Sequence, residues 1–223
     1  VTSGGRVIGR SGGLDPANGN EVDPWSHFMN VFMLDREGNR IDRRNPQDIF
    51  TPLYNNQLPP GAGQTAHYEL QLPTILKAPV TVEVKLQYRK FDQRYMEFVA
   101  QQTTKLGTPI RGHQPGESYV NELPITTLAM DTITFPVAGV LAEVSNPTPD
   151  IPVWQRWNDY GIGLLLKGKA QLSQAAEAFA EVEKLDRWDG PMNLARAYDT
   201  EGRIDEAVAA LQRAQKYADA EGF

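Results

Sequence analysis

Residues 154–223 read WQRWNDYGIGLLLKGKAQLSQAAEAFAEVEKLDRWDGPMNLARAYDTEGRIDEAVAALQRAQKYADAEGF, and this stretch decides the fold. Ala175 and Ala207 stand 32 residues apart, and four residues after each come Phe179 and Leu211. Gly168 precedes the first alanine and Gly202 the second. Counting back from those glycines gives a second matched set: Leu164 and Tyr198, Gly161 and Ala195, Tyr160 and Leu194. Apolar and small residues at three- and four-residue spacing, interrupted by a turn glycine, predict a helix, a turn and a second helix, twice over. Gly161, Ala195, Ala175 and Ala207 lack bulk and let antiparallel helices approach closely. Trp157, Phe179, Tyr198 and Leu211 are expected to fill the grooves between neighbouring pairs.

That order of residues resembles the tetratricopeptide repeat (TPR), whose period is about 34 residues. The first copy carries two extra residues between its turn glycine and its second helix. An ordinary four-helix tail with an alanine-rich core is the plainer alternative. The resemblance implies a module that binds or packs against protein, and no chemistry. Stacks of this kind need about three repeats to be stable alone. Two repeats are therefore expected to lean on the preceding domain, on flanking sequence or on a partner.

The chain has 223 residues, enough for one large or two modest domains. Its formal charge is −6. Residues 151–223 hold 12 acidic and 9 basic residues and residues 1–150 hold 16 and 13, so each part carries −3. No basic stripe emerges, which argues against a nucleic-acid partner. No apolar run approaches the roughly 18 residues of a membrane helix. The absence of cysteine rules out disulfides, thiolate metal sites, a cysteine nucleophile and covalent haem attachment through C-x-x-C-H. Nothing matches a nucleotide-binding glycine loop, a serine elbow or a carboxylate pair set off for acid–base work, so the chain carries no catalytic motif.

Upstream of the helices the sequence predicts an antiparallel β-sandwich over residues 1–144, joined by a proline-rich linker at 145–153 to the two hairpins of 154–223. Val7-Ile8 lies between glycine pairs and reads as part of a strand pair that continues missing upstream sequence. Residues 14–24 are rich in turn residues, and their oxygens suit either a solvated loop or, less well for lack of alternating spacing, a calcium ion. His27 to Asp35 reads as a buried strand, Thr51 to Leu58 as another. Thr65 to Leu72 and Val80 to Tyr88 alternate apolar with polar residues, which predicts half-buried strands with Val80, Val82, Val84, Leu86 and Tyr88 facing inward. Tyr95 to Val99 is a short apolar segment, residues 101–125, with Gly107, Pro109, Gly112, Pro115 and Gly116, a long loop, and Asp131 to Val137 a last strand.

Several of these stretches carry a further likeness: Ser11-Gly12-Gly13-Leu14-Asp15, Asp23-Pro24 through His27, Leu34 through Ile41, Arg43 through Ile49, Pro59-Pro60-Gly61, Ala66-His67-Tyr68, and Tyr88 through Asp92. With Asn158 through Gly163 after them, this order resembles the carboxy-terminal region of large bacterial multihaem c-type cytochromes that carry TPR repeats. The resemblance implies a haem-free accessory region of an electron-transfer protein, in the periplasm or outside the cell. Its haem c would be held by sequence outside this chain, and its helices would contact a protein partner or other parts of the same polypeptide. It also implies that His27 and His67 are candidates for distal axial haem ligands, against the plainer reading of structural histidines at a sheet edge. His113, in the Gly/Pro loop, is expected to be solvated.

Two polar clusters invite the same comparison. Arg40, Arg43 and Arg44 with Asn45 and Asp48, and Arg89, Lys90 and Arg94 with Asp92, could hold carboxylates of a partner or a cofactor; the sequence favours arginine–aspartate networks that pin a loop. The competing functions are a stand-alone extracytoplasmic scaffold without redox role and, more weakly, a carbohydrate-binding sandwich using Trp25.

Overall fold

The computed structural model describes residues 1–111 and 113–221; Gly112 and Phe223, both named above, lie outside the described residues. The chain divides into two compact units. One comprises Val1–Asn55 and Glu69–Pro147. The other joins the segment Asn56–Tyr68 to the chain from Thr148 onward. The architecture is an antiparallel strand unit with one helix, and a separate unit of four helices.

In the first unit the elements are β1 (Thr2–Ser3), β2 (Arg6–Val7), β3 (Leu14–Asp15), β4 (Glu21–Val22), β5 (Val31–Leu34), β6 (Thr51–Asn55), β7 (Val80–Tyr88), α1 (Gln93–Lys105) and β8 (Thr126–Phe135). They make a four-stranded sheet in the order β2-β1-β7-β8 and two separate ribbons, β3-β4 and β5-β6. The long β7–β8 pair dominates. Val80 faces Phe135 and Val82 faces Ile133 across it, so the alternation of β7 does place one apolar set on one face. That face is not inward as expected. Only Val80 is buried; Val84 is 61% exposed, and Leu86 and Tyr88 are exposed with it. A sandwich buries the inner faces of two sheets. Here the only buried apolar residues among those described in this unit are Val80 and Ala100.

The outer edge of β8 is closed locally by side chains. The Asn146 amide accepts from the Thr134 backbone N–H and donates to its carbonyl, copying a strand neighbour at 2.7 and 2.9 Å. The Asp131 carboxylate takes the Thr132 N–H at 2.8 Å. Such local closure keeps an edge from recruiting another strand.

Three strand expectations change. Residues 27–30 are not strand; pairing begins at Val31, where Asn55 stands opposite. Thr65 to Leu72 forms no strand, and Tyr68, Leu70 and Leu72 are exposed. Alternation without a ladder partner makes no sheet. Tyr95 to Val99, read as a short apolar segment, is the middle of α1. The signals for that helix are present: Asp92 caps it by accepting the Tyr95 N–H at 2.8 Å, and Phe91, Tyr95 and Phe98 follow at helical spacing. Gly107, with φ +72°, ends it, the Thr108 N–H returning to the Thr103 carbonyl at 2.9 Å.

The second unit holds α2 (Val153–Leu165), α3 (Leu172–Glu183), α4 (Asp189–Glu201) and α5 (Ile204–Glu221). Each helix packs on the next in sequence, and α2 also touches α4. The two extra residues after Gly168 are taken up in a single 3-10 turn, Lys169–Gln171. Gly202, with φ +80°, closes α4 by sending its N–H to the Asp199 carbonyl, while Arg203 sends its own to Tyr198. Leu164, Ala175, Phe179 and Leu194 form the core, with Ile162, Leu165, Ala176 and Tyr198 packed on it. A second cluster of Ala195, Ala207 and Ala210 meets the other side of Tyr198. Phe179 and Tyr198 therefore fill inter-helix space as expected. Trp157 and Leu211 do not; both lie on exposed faces.

Candidate interaction surfaces

Among its described residues the helical unit holds no group of three or more metal-ligating side chains, and its three surfaces differ in what already occupies them. The first is the flank of α2, where the segment Asn56–Tyr68 lies. Contact is through backbone. The Thr65 hydroxyl donates to the Tyr160 carbonyl at 3.2 Å. A Cβ on Gly63 would sit 2.7 Å from the Asp159 carbonyl oxygen, and a Cβ on Gly163 would strike the Thr65 hydroxyl and lie 2.7 Å from its amide nitrogen. Two glycines, one on each partner, thus permit an approach that side chains would forbid. The His67 ring stands edge-on to Tyr160 at 6.4 Å. Burial pushes the Asp159 carboxyl up from its ordinary pKa. On α4 the matched positions are Asn193 and Ala197, both buried in the stack, with Asn193 bonded to Asn158 of α2 at 2.8 Å. The segment therefore covers on α2 a flank that on α4 is inside the helix stack.

The second surface is a groove of about 270 Å³ between α3 and α4, lined by Ala176, Ala180, Leu194 and Tyr198 with Glu177, Glu201 and Arg203. Its cation is already engaged. Arg203 stacks over the Tyr198 ring at 4.2 Å and pairs with Glu206 at 2.9 Å and Glu201 at 3.1 Å. Those two hydrogen-bonded carboxylates raise its pKa further.

The third surface is the outer face of α5. Ile204, Val208 and Leu211 succeed one another at four and three residues, one stripe of a helix. All three are exposed, while Ala207, Ala210 and Ala214 on the adjoining flank are buried. Arg213 ties the helix to α3 through a two-pronged contact with Glu183, at 2.7 and 3.1 Å, and that bonding raises its pKa.

In the strand unit, the arginine cluster resolves into a ladder on aromatic rings. Arg40 lies over Phe32 at 4.9 Å and pairs with Asp92 at 3.1 Å, so Asp92 serves both as helix cap and as counter-ion. Arg43 lies over Phe98 at 5.4 Å, and Arg44 over Phe91 and Tyr95 at 4.6 and 4.9 Å. Lys90 meets Phe91 at 5.3 Å. Asp48 turns instead to Asn45 and Gln47, and Arg94 to Glu21. Arg89 donates to the Asn20 carbonyl, and burial lowers its pKa. These groups fasten residues 40–44 and the β3–β4 turn onto α1 and the segment before it.

The remaining sequence candidates are placed as follows. His27 is half-buried in an irregular stretch of the strand unit and His67 is exposed on the segment Asn56–Tyr68 of the helical unit; neither is in a strand, contrary to the sheet-edge expectation. His113 is half-buried, its ring against Tyr119 at 5.8 Å, not plainly solvated. The two aspartates of the 14–24 loop are spent locally: Asp15 accepts from Ala17 and Asn18, and Asp23 from Gly13 and Trp25. No group of three or more metal-ligating side chains occurs among the described residues. Trp25 is exposed, and Trp154 is stacked under Arg187 at 4.4 Å. Among the described residues no helix is long and apolar enough to cross a membrane.

Sequence reasoning missed Gly63, Thr65 and Gly163 as a backbone contact, Gly190 as a packing glycine, and Ile204 and Val208 as an open stripe. Glycine inside a helical pattern was the available signal for 163 and 190, since such a glycine costs about 1 kcal/mol against alanine and points to close packing. Comparison with protein-family models, with curated proteins and with solved structures finds no match.

Proposed function

We propose that this chain is an interaction module: two TPR-like hairpins that hold a partner, joined to a strand unit with no chemistry of its own. The observation that carries the reading is a comparison of matched positions in the two copies. Leu172 is 2% exposed and Phe179, packed between α2 and α4, 0%; their counterparts Ile204 and Leu211 on α5 are 55% and 46% exposed. The same face is a core contact in one copy and open in the other. An exposed apolar stripe on a helix that is otherwise packed marks a surface for a partner. In the strand unit, the open apolar face of the β7–β8 ribbon supports the idea of half a sandwich awaiting a second layer.

The test is the double variant Val208→Asp/Leu211→Asp. Both positions are exposed, so the isolated chain should lose no more than about 1 kcal/mol of stability. Protein isolated from its native host should lose its assembled form on size exclusion. An assembled form that survives both aspartates removes α5 as the interaction surface.

The cytochrome resemblance refines the proposal. It makes the module the haem-free end of an extracytoplasmic electron-transfer protein, with haem held elsewhere, and His27 and His67 the residues to examine as ligands. The native polypeptide should then run well above 24.8 kDa and carry a Soret band. A colourless species of that mass leaves the scaffold reading in its place.

A further inference from the structure

Asn18-Gly19 is the only asparagine–glycine pair in the chain. It lies in the β3–β4 turn, and Asn18 is exposed to water. An asparagine followed by glycine is chemically labile, because no side chain on the second residue shields its amide nitrogen from the asparagine Cγ. A larger residue at position 19 would protect the pair, and the fold forbids it. Gly19 has φ +64°, in the left-handed region. A Cβ there would strike the Gln93 side-chain amide and lie 2.6 Å from the Tyr119 carbonyl oxygen. The turn therefore requires the labile pair. Asp15 restrains it. The Asp15 carboxylate accepts from the Asn18 side-chain amide at 2.8 Å and from the Ala17 N–H at 3.0 Å, and the Asp15 carbonyl accepts from the Asn20 N–H at 2.9 Å. The Asn18 amide is thus tied to Asp15 and is not free to swing onto the Gly19 nitrogen.

We propose that Asn18 is a site of spontaneous deamidation, restrained by Asp15 and irreversible once it occurs. The Gly19 nitrogen loses its proton to hydroxide and attacks Asn18 Cγ. An N–Cγ bond forms, the Cγ–Nδ2 bond breaks, and ammonia leaves a succinimide ring behind. Water opens that ring at Cγ to give aspartate, or at the main-chain carbonyl to give isoaspartate, whose backbone runs through Cβ and Cγ. Aspartate puts a carboxylate beside Asp15 where a hydrogen-bond donor stood, and like charges at that distance repel. Isoaspartate lengthens the backbone next to Gly19. Either product reaches beyond the turn. The Gly19 carbonyl accepts the Asn121 N–H at 2.9 Å, the Asn20 amide donates to the Asn121 carbonyl at 3.3 Å, and Arg89 donates to the Asn20 carbonyl at 3.0 Å. Conversion of Asn18 loosens this fastening of the β3–β4 turn to residues 119–121 and to Arg89.

The experiment incubates the full chain at neutral and at mildly alkaline pH and follows residue 18 by peptide mass spectrometry. Asn39 is the internal control: it is exposed and bonded to Asp35 at 3.1 Å in the same way, but Arg40 follows it. Conversion at Asn18 ahead of Asn39, faster at alkaline pH and faster again in Asp15→Ala and in urea, is the expected result. An Asn18 that converts no faster than Asn39 overturns the site. Equal rates in the folded chain, in Asp15→Ala and in urea overturn the restraint by Asp15. The consequence is read on Asn18→Asp, with Asn18→Gln as the variant that keeps the amide and closes the ring far more slowly. Asn18→Asp should lower the urea midpoint of the strand unit and speed amide exchange at residues 119–121, with exchange in α3 unchanged. A parental midpoint and parental exchange at 119–121 in Asn18→Asp overturn the loosening.

Discussion

Replacing Phe179 by Ala should cost about 3–5 kcal/mol of stability, the largest single effect in this chain. The ring is fully buried and lies at the centre of the cluster formed by Leu164, Ala175 and Leu194. Its surroundings are shaped to it. A Cβ on Gly161 would stand 2.5 Å from the ring edge, so α2 has given up a side chain to seat it. Removing the ring leaves a void that helices on both sides cannot close without moving, and the lost dispersion contacts add to the lost transfer energy. A domain of ordinary stability has about 5–15 kcal/mol to lose. The control is the matched position, Leu211→Ala, which is half exposed and should cost about 1 kcal/mol or less. Urea unfolding followed by circular dichroism reads both. Equal losses at 179 and 211 would mean that the α3–α4 contact is not the core of the helical unit.

The contrast between these two residues also shows where the sequence stops informing. Phe179 and Leu211 occupy matched positions and are both large and apolar. The helical period identifies the face on which each lies, and nothing in it says whether a neighbour covers that face. Only the packing of α4 on α3, and the bare stripe of α5, separates core from surface. The same limit explains the strands. The alternation of residues 80–88 and of 65–72 looks alike on the page, yet the first finds β8 as a ladder partner and the second finds none. In both stretches the apolar side chains were expected inside, and in both most are exposed.

Other features were legible in principle. Asp92 followed by Tyr95 and Phe98 is a capping residue followed by helical spacing. The five-residue segment considered on its own was too short to distinguish a helix turn from a strand. The small residues at 161, 175, 195 and 207 were identified correctly as sites of close approach, because absence of bulk inside an amphipathic pattern has few other uses. The arginines at 40, 43 and 44 were visible as a cluster, but their partners, Phe32, Phe91, Tyr95 and Phe98, are distant in sequence. Charge patterning proposes carboxylates as partners; Arg43 does pair with its neighbour Asp42 at 3.5 Å, besides lying over Phe98, whereas Arg44 rests on the rings of Phe91 and Tyr95.

Gly190→Ala should destabilise the helical unit by a net of about 2 kcal/mol, although alanine is the better helix former. The intrinsic preference favours the variant by about 1 kcal/mol. Against it stands the contact. The new methyl would strike the backbone nitrogen of Glu183 and lie 2.8 Å from its Cα and 2.9 Å from the Phe179 carbonyl oxygen. These are backbone atoms inside α3 and cannot rotate aside, so α3 and α4 must separate along their whole contact. Overpacking of this kind costs about 3 kcal/mol. The other two packing glycines provide the comparison. At Gly161 the obstacle is the Phe179 ring, a side chain that can tilt, and at Gly163 it is Thr65, on a segment outside any helix or strand that can lift. The expected order of loss for the three alanine variants is therefore Gly190, then Gly161, then Gly163, read as shifts of the urea midpoint. Lifting of the segment also predicts that Gly163→Ala speeds amide exchange in residues 63–67, while Gly190→Ala leaves that exchange unchanged relative to the rest of the unit. A Gly190→Ala protein as stable as the parent would show that α4 does not rest on the α3 backbone.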